Sequence, residues 1–464
     1  MEKSNKTRGV FESILDKRNI YSAIYSLESY VFDKGLLDTD HEVILTDEQG
    51  NKTASVANDL VLFVQLTDKF QVDLMDKVIS TCRCRLQSIL EKPKELFEIS
   101  VYFKLKKWDE EKLVCRPIHT ARLIDMICMV SILNYLMFED DYEQGVRSLS
   151  DLSKLLPHNF FGNVPSTHVR QLFMPWQAQY KEYSNQVITH CRQYQQSHAY
   201  QTEVSLDIRN FFPSIPPVFL FGFILEKLLI QDRGKSKSKG DWQSRQKQEL
   251  QSAVAKLLFF HLDAERINLW KDDYYPNQVE SDFFMNCGIP QGLPQSYFFG
   301  NLCMIHIKDL MMRKDFFQGD AYFYVDDSVI YLQSAWKENE FREKINGLNT
   351  LLAAGLRTSQ NMDELIKDLK EVIDPQYVDF HKNLNYRIQF HTGDKSTLTH
   401  IDQVDTLYEL LSDISRQTYG MNQLSNNRDE IDDEVSLDKL KALNEVVTGE
   451  MRQLKSSEES IPSR

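Results

Sequence analysis

The sequence predicts a mixed α+β fold: antiparallel strands that carry carboxylates at their ends, packed by apolar-periodic helices. Three observations predict it. Tyr322 to Leu332 places Asp326 and Asp327 between two short apolar, β-branched and aromatic runs, the composition of a hairpin with both acids at its tip. Glu203 to Ile208 alternates apolar and polar residues and delivers a third carboxylate, Asp207, at a strand end before Pro213 stops the pattern. Elsewhere, apolar residues recur every three or four positions over long stretches.

Taken in order, residues 11 to 36 carry Ile20, Ala23, Ile24, Leu27, Tyr30 and Val31 at helical spacing, and Leu60 to Leu90 repeats the pattern. These read as packing helices. From Phe97 the texture changes. Phe103 to Lys107 alternates apolar and basic residues, an acidic turn follows, and Leu113 to Ile118 returns, which predicts a hairpin carrying Lys104, Lys106 and Arg116. The apolar run Leu123 to Phe138 predicts a buried helix. Residues 145 to 200 are rich in aromatics, expected mostly in the core with a minor role in stacking bases. Gln231 to Gly240 reads as a charged surface loop; its Gly-Lys-Ser is not a phosphate loop, because the required first glycine falls at Leu229. Gly288 to Ser296 is a stiff Pro/Gly loop feeding a buried helix from Tyr297 to Ile307. Beyond residue 400, two helical patterns flank an acidic, Asn-rich linker from Asn426 to Glu434, and Lys455 to Arg464 reads as a disordered tail.

The chain has 464 residues, 42% hydrophobic and 26% charged, enough for two or three subdomains with a sizeable core. No apolar run approaches the ~18 residues of a membrane span, and the first residues lack the apolar core of a signal peptide. The cysteines are scattered singly apart from Cys82-x-Cys84, with no second pair to complete a zinc site, so free thiols in a reducing cytoplasm are expected. The net charge of −14 argues against a protein that coats nucleic acid non-specifically. Half of it lies in residues 401 to 464, with 14 acids against 7 bases, so a local basic groove stays compatible with the remainder.

Adjacent carboxylates are costly. At about 4 Å, two like charges repel by roughly 4 kcal/mol at an effective dielectric near 20. A divalent cation removes that cost, and hard Mg²⁺ prefers carboxylate oxygens. An isolated Asp-Asp is more often a solvated turn. The third carboxylate at Asp207 and the stiff Gln291 loop favour the metal.

Strand-Asp207 with Phe212 five residues on, then Pro290-Gln291-Gly292, then Tyr324-Val325-Asp326-Asp327 resembles the palm of a reverse transcriptase, with the three segments in that family's order. Phe160-Phe161-Gly162-Asn163, Arg116 to Ala121 and His391 to Ser396 are similar to the abortive-infection and defence-associated bacterial members. The resemblance covers roughly residues 95 to 400. It implies a right-hand fingers and palm at 96–400 with an antiparallel palm sheet, an N-terminal helical region at 1–95, and a short thumb-like helical region at 401–464. It implies DNA synthesis with two Mg²⁺ ions, for which Mn²⁺ can substitute, bridged by Asp207 and Asp326 with Asp327 in support and the Ile208 carbonyl on the nucleotide side. Nucleotide contacts fall to Arg116 and Lys106 in the fingers and to Gln291 and Gly292. Phe212 would select the deoxy sugar, and Lys395 would protonate the leaving pyrophosphate. Core packing by Phe212 and an ordinary surface role for Lys395 stay open beside those roles.

The implied partners are dNTPs and nucleic acid, as template RNA or product DNA, with a non-coding RNA or a second copy of the chain as further candidates. Relatives differ in whether they copy RNA, extend without a template or prime from a tyrosine hydroxyl, and an anti-phage role rests on the resemblance alone. The competing reading is a catalytically silent, polymerase-shaped scaffold that binds nucleic acid. A degenerate palm is expected to lose at least one of Asp207, Asp326, Asp327, Gln291 and Phe212, and all are present.

Overall fold

The computed structural model describes residues 9–34, 37–67, 71–109, 112–143, 146–232, 241–263, 287–353, 355–356, 361–384, 386–393 and 395–404. The first amphipathic stretch divides into α1 (Val10–Ile14) and α2 (Lys17–Lys34). Asp16 makes the break, its carboxylate accepting from the Arg18 backbone N–H at 2.8 Å as α2 begins. A hairpin that periodicity did not signal follows, β1 (Val43–Thr46) and β2 (Lys52–Val56). Its turn is built by Asp47, which accepts from Gln49 and Asn51 N–H groups, and by Gly50 at φ +85°. The second helical stretch forms α3 (Asp59–Thr67) and α4 (Val72–Glu91).

The predicted basic hairpin forms as β3 (Phe97–Asp109) and β4 (Lys112–Thr120), pairing Lys104 with Arg116. The register shifts between Leu105 and Lys107, which leaves Lys106 as the extra residue of a bulge. Helix α5 (Leu123–Met137) is buried on nearly every side, as its mostly apolar run requires. Its start is pinned by Asp59, fully buried, which accepts from Leu123 N–H at 3.0 Å and pairs with the Arg122 guanidinium at 2.9 and 3.2 Å. Burial pushes the Asp59 carboxyl upward against the pull of Arg122. The small pair β5 (Phe138–Glu143) and β6 (Val146–Leu149) comes next.

The remaining elements include the strands of one five-stranded sheet and a short strand, Phe260–Leu262, that pairs in parallel with β3. They are β7 (Phe160–Phe161), α6 (Trp176–Ser197), β8 (Thr202–Asp207), α7 (Phe211–Ser214), α8 (Pro217–Asp232), α9 (Asp241–Leu258), β9 (Phe260–Leu262), α10 (Pro294–Met311), β10 (Asp320–Tyr324), β11 (Asp327–Leu332), α11 (Glu338–Ala353), α12 (Met362–Val372), α13 (Pro375–Asn383) and β12 (Thr397–His400). The sheet order is β12-β8-β11-β10-β7, antiparallel except for β7 beside β10. Strand alternation sends Val204, Leu206, Phe323 and Ile330 into the main core. Tyr322, Tyr331 and Phe161 go to the opposite face, where Val187 and Cys191 of α6 cover them.

The main core is contiguous from Val10 to Phe390, so the boundary near residue 95 marks a change of sequence texture and not a break in packing. The buried Lys256 of α9 helps seal it by donating to the Lys92, Pro93 and Glu95 carbonyls just past the end of α4. The fold is mixed α+β, as expected. No helix among the described residues is long and apolar enough to cross a membrane. Of the charged loop expected at 231–240, the first two residues end α8 and the rest lie outside the described residues; of the helical patterns expected beyond residue 400, Ile401–Gln403 form a short 3-10 turn and residues after 404 lie outside the described residues.

Candidate active site

The three acids meet at one end of the sheet. Asp207 closes β8 and is the cross-strand partner of Asp327, the first residue of β11. Tyr324 and Asp327 pair across the hairpin, so Val325 and Asp326 are its two loop residues. Val325 holds φ +57°, at the loop position that type I′ and II′ turns normally give to Gly, Asn or Asp. A β-branched residue there costs on the order of 1–3 kcal/mol. The neighbouring Phe160–Asn163 segment braces it. Gly162, at φ +77°, lies so close that a Cβ would stand 3.0 Å from Val325 Cγ2 and 3.2 Å from the Tyr324 ring. Buried Asn301 of α10 holds that segment by donating to the Gly162 and Asn163 carbonyls.

On the other side of Asp207 runs an edge segment. Phe390 lies opposite Ile208, while Thr397 lies opposite Ser205, so the residues between them loop outward beside Asp207. The loop returns Lys395, whose Nζ donates to Asp207 Oδ2 at 2.9 Å, and places His391 Nε2 3.9 Å from the same oxygen. Asn349 of α11 fixes the segment by bonding both backbone groups of Phe390. Backbone bonds from His391 N–H to the Asp207 carbonyl and from Arg209 N–H to the Gln389 carbonyl flank the Ile208–Phe390 pair. In that pattern the Ile208 carbonyl points away from the edge segment, toward the Asp326 side.

Asp207 and Asp326 are half-buried and Asp327 is exposed. Three carboxylates and a carbonyl are hard oxygen donors, so they fit a divalent cation such as Mg²⁺ in kind. They are not drawn together here: among the described residues no three His, Cys, Asp or Glu side chains converge as a ligand group. Lys395 supplies the positive charge beside Asp207 instead.

The Gln291–Gly292 loop is locked to the β3–β4 hairpin. The Gln291 carbonyl accepts from His119 N–H at 2.7 Å, and the Tyr30 hydroxyl donates to the Gly292 carbonyl. Gly292, at φ +113°, has no room for a side chain, because a Cβ would stand 2.6 Å from Ile118 Cγ2 and 2.7 Å from the His119 carbonyl oxygen. Close approach was expected of Gly292, and the backbone it approaches is β4. Backbone pairing places Arg116 and Lys106 on the hairpin, but their side chains lie outside the described residues. Phe212 is 8% exposed and packs against Phe211, Tyr297 and Gly300. The interval from Asp207 therefore delivers it into the core beside α10.

The same loop is held at its start by a relay. Tyr386 OH accepts from Gly288 N–H at 3.0 Å and stands 2.6 Å from His381 Nδ1. Burial pushes the His381 imidazole down to about 4, so it is neutral at pH 7 and can accept the Tyr386 proton. Between pH 6.5 and 4 the unfolded chain binds a proton that the folded one refuses, so stability falls as pH drops through that window. The loss approaches about 3 kcal/mol. Urea melts across the window test this, and a His381→Gln chain should show a shallower slope. An equal slope in both would place the acid sensitivity elsewhere.

Asp320 opens β10 and accepts from the Tyr194 and Tyr322 hydroxyls. Tyr386 and His381 carry no signal in the sequence beyond their residue types, and His119 and His391 fall within phrases that carry the resemblance without being singled out there. No known protein family model matches the chain, and no curated protein matches it.

Proposed function

We propose that the chain is a DNA-synthesising nucleotidyltransferase of the reverse-transcriptase kind, with a fingers-and-palm arrangement and a role in anti-phage defence. The observation that carries the reading is the register of Asp207 against Asp327, with Asp326 in the connecting turn. Three hard ligands at the end of two central strands is what metal-assisted phosphoryl chemistry requires. Asp207, Asp326, Asp327 and the Ile208 carbonyl would hold two Mg²⁺ ions. Bound there, the ions make a 3′-hydroxyl more acidic and neutralise charge on the α-phosphate and leaving pyrophosphate. Lys395 holds an ammonium beside Asp207, within reach to give a proton to the leaving group. Gln291 and Gly292 join the fingers strand to the palm, so a triphosphate gripped by Arg116 or Lys106 would be positioned against the same loop.

Purified protein given Mg²⁺ and each dNTP, with and without RNA, should incorporate label. The Lys395–Asp207 ion pair is the observation on the side of a silent scaffold, and that reading predicts no incorporation under any of these conditions. Sugar selection is tested separately. Phe212→Ala should admit ribonucleotides that the parent rejects, at a cost of about 3–5 kcal/mol in stability because the ring is buried. The same dNTP-to-rNTP preference in both proteins would make Phe212 a core residue only.

A further inference from the structure

We propose that Tyr180 and Tyr183 of α6 form a stacking site for the unpaired bases of a single polynucleotide strand, next to the acidic end of the sheet; the inference rests on the nucleotidyl-transfer reading. By register and alternation, Asp207, Asp327, Tyr324, Tyr331 and Tyr322 share one sheet face. That face is not bare. Tyr331 OH donates to the Val187 carbonyl of α6 at 3.0 Å, and Gln195 of α6 bonds the Ile401 and Val404 carbonyls, closing the far part of the face. A duplex laid along the sheet would meet α6.

What is left beside the carboxylates is the N-terminal half of α6. Tyr180 and Tyr183 pack their rings on Tyr324 at 5.1 and 5.5 Å, and Tyr183 also meets Phe161 at 5.8 Å. Tyr324 is the cross-strand partner of Asp327, so the two α6 rings stand one side chain away from the acids. Tyr180 and Tyr183 are the half-exposed layer above Tyr324. Around them α6 carries one acid, Glu182, among 22 residues, in a chain with 68 acids. Gln and Asn dominate its polar positions, which lowers the repulsion a phosphate backbone meets elsewhere on this acidic surface. A base stacked on such rings gains affinity without sequence preference, since every base has a π-face.

The test is fluorescence anisotropy of the full chain with Mg²⁺ and a labelled single-stranded oligothymidylate. The parent should bind it more tightly than a duplex of equal length. Tyr180→Ala and Tyr183→Ala should each weaken binding about 5- to 100-fold. Tyr180→Phe and Tyr183→Phe keep the ring and should bind as the parent does. Tyr180→Leu and Tyr183→Leu keep apolar bulk for the fold but lack a π-face, and should bind as weakly as the Ala chains with an unchanged thermal midpoint. Absence of parental binding, Leu chains that bind like the parent, or Phe chains as weak as Leu would each overturn the site. Asp326→Asn should bind the strand normally. Lost synthesis in Asp326→Asn together with parental binding in the Leu chains would refute this site and leave nucleotidyl transfer standing.

Discussion

On the nucleotidyl-transfer reading, Asp207→Ala and Asp326→Asn should each reduce nucleotide incorporation by about 1,000-fold or more, equivalent to about 4 kcal/mol of transition-state stabilisation, while the fold survives. The structural cost is small for a physical reason. The Asp207 carboxylate is paired with a Lys395 side chain that is 55% exposed, and exposed ion pairs contribute little. Asp326 sits in a two-residue loop beside Asp327, where loss of a charge relieves repulsion. On the nucleotidyl-transfer reading, synthesis has no such tolerance, because each carboxylate would be a metal ligand. Incorporation assays beside thermal melts separate the two effects. A variant that melts like the parent and still incorporates at the parental rate would remove that carboxylate from the chemistry.

Gly292→Ala destabilises the chain by about 3 kcal/mol or more. The backbone at φ +113° is one that side chains avoid, and the added carbon collides with the His119 carbonyl oxygen as well as with Ile118. Relief requires the loop to lift from β4, which breaks the 2.7 Å bond from His119 N–H to the Gln291 carbonyl. The consequence reaches function through position: the loop and the β3–β4 hairpin separate, and on the nucleotidyl-transfer reading KM for dNTP should rise. Gly393→Ala is the internal comparison. Nothing among the described residues lies within 4 Å of its added carbon, so its effect should stay within about 0.5 kcal/mol. Equal urea midpoints for the two glycine variants would show that the β4 contact does not constrain the loop.

The acidic end of the sheet was legible because its signals are local. A period of two ending in Asp207, and two β-rich runs meeting at Asp326-Asp327, specify strand and hairpin without reference to the rest of the chain. The mostly apolar α5 and the Pro-led α10 were legible for the same reason. The β1–β2 hairpin was not. Lys52 to Val56 is short and mostly exposed, so it carries little hydrophobic alternation, and only Asp47 and Gly50 marked its turn. The approach of Lys395 and His391 to Asp207 depends on an edge segment folding back across nearly 190 residues of sequence, which no local pattern encodes. The strain at Val325 was equally silent, since the residue type argues for a strand and only the brace of Gly162 shows why it bends. Phe212 and Gly292 were singled out by the resemblance, which did not show that one enters the core and the other abuts β4.

The most direct test of the nucleotidyl-transfer centre is Mg²⁺-dependent incorporation of labelled dNTPs by the purified parent, run beside Asp326→Asn and repeated with Mn²⁺ and with added RNA. The account predicts label in polynucleotide that requires the divalent ion, releases pyrophosphate in step, and disappears in Asp326→Asn. No polynucleotide with either metal and any dNTP, with or without RNA, or equal product from the Asp326→Asn chain, would contradict it.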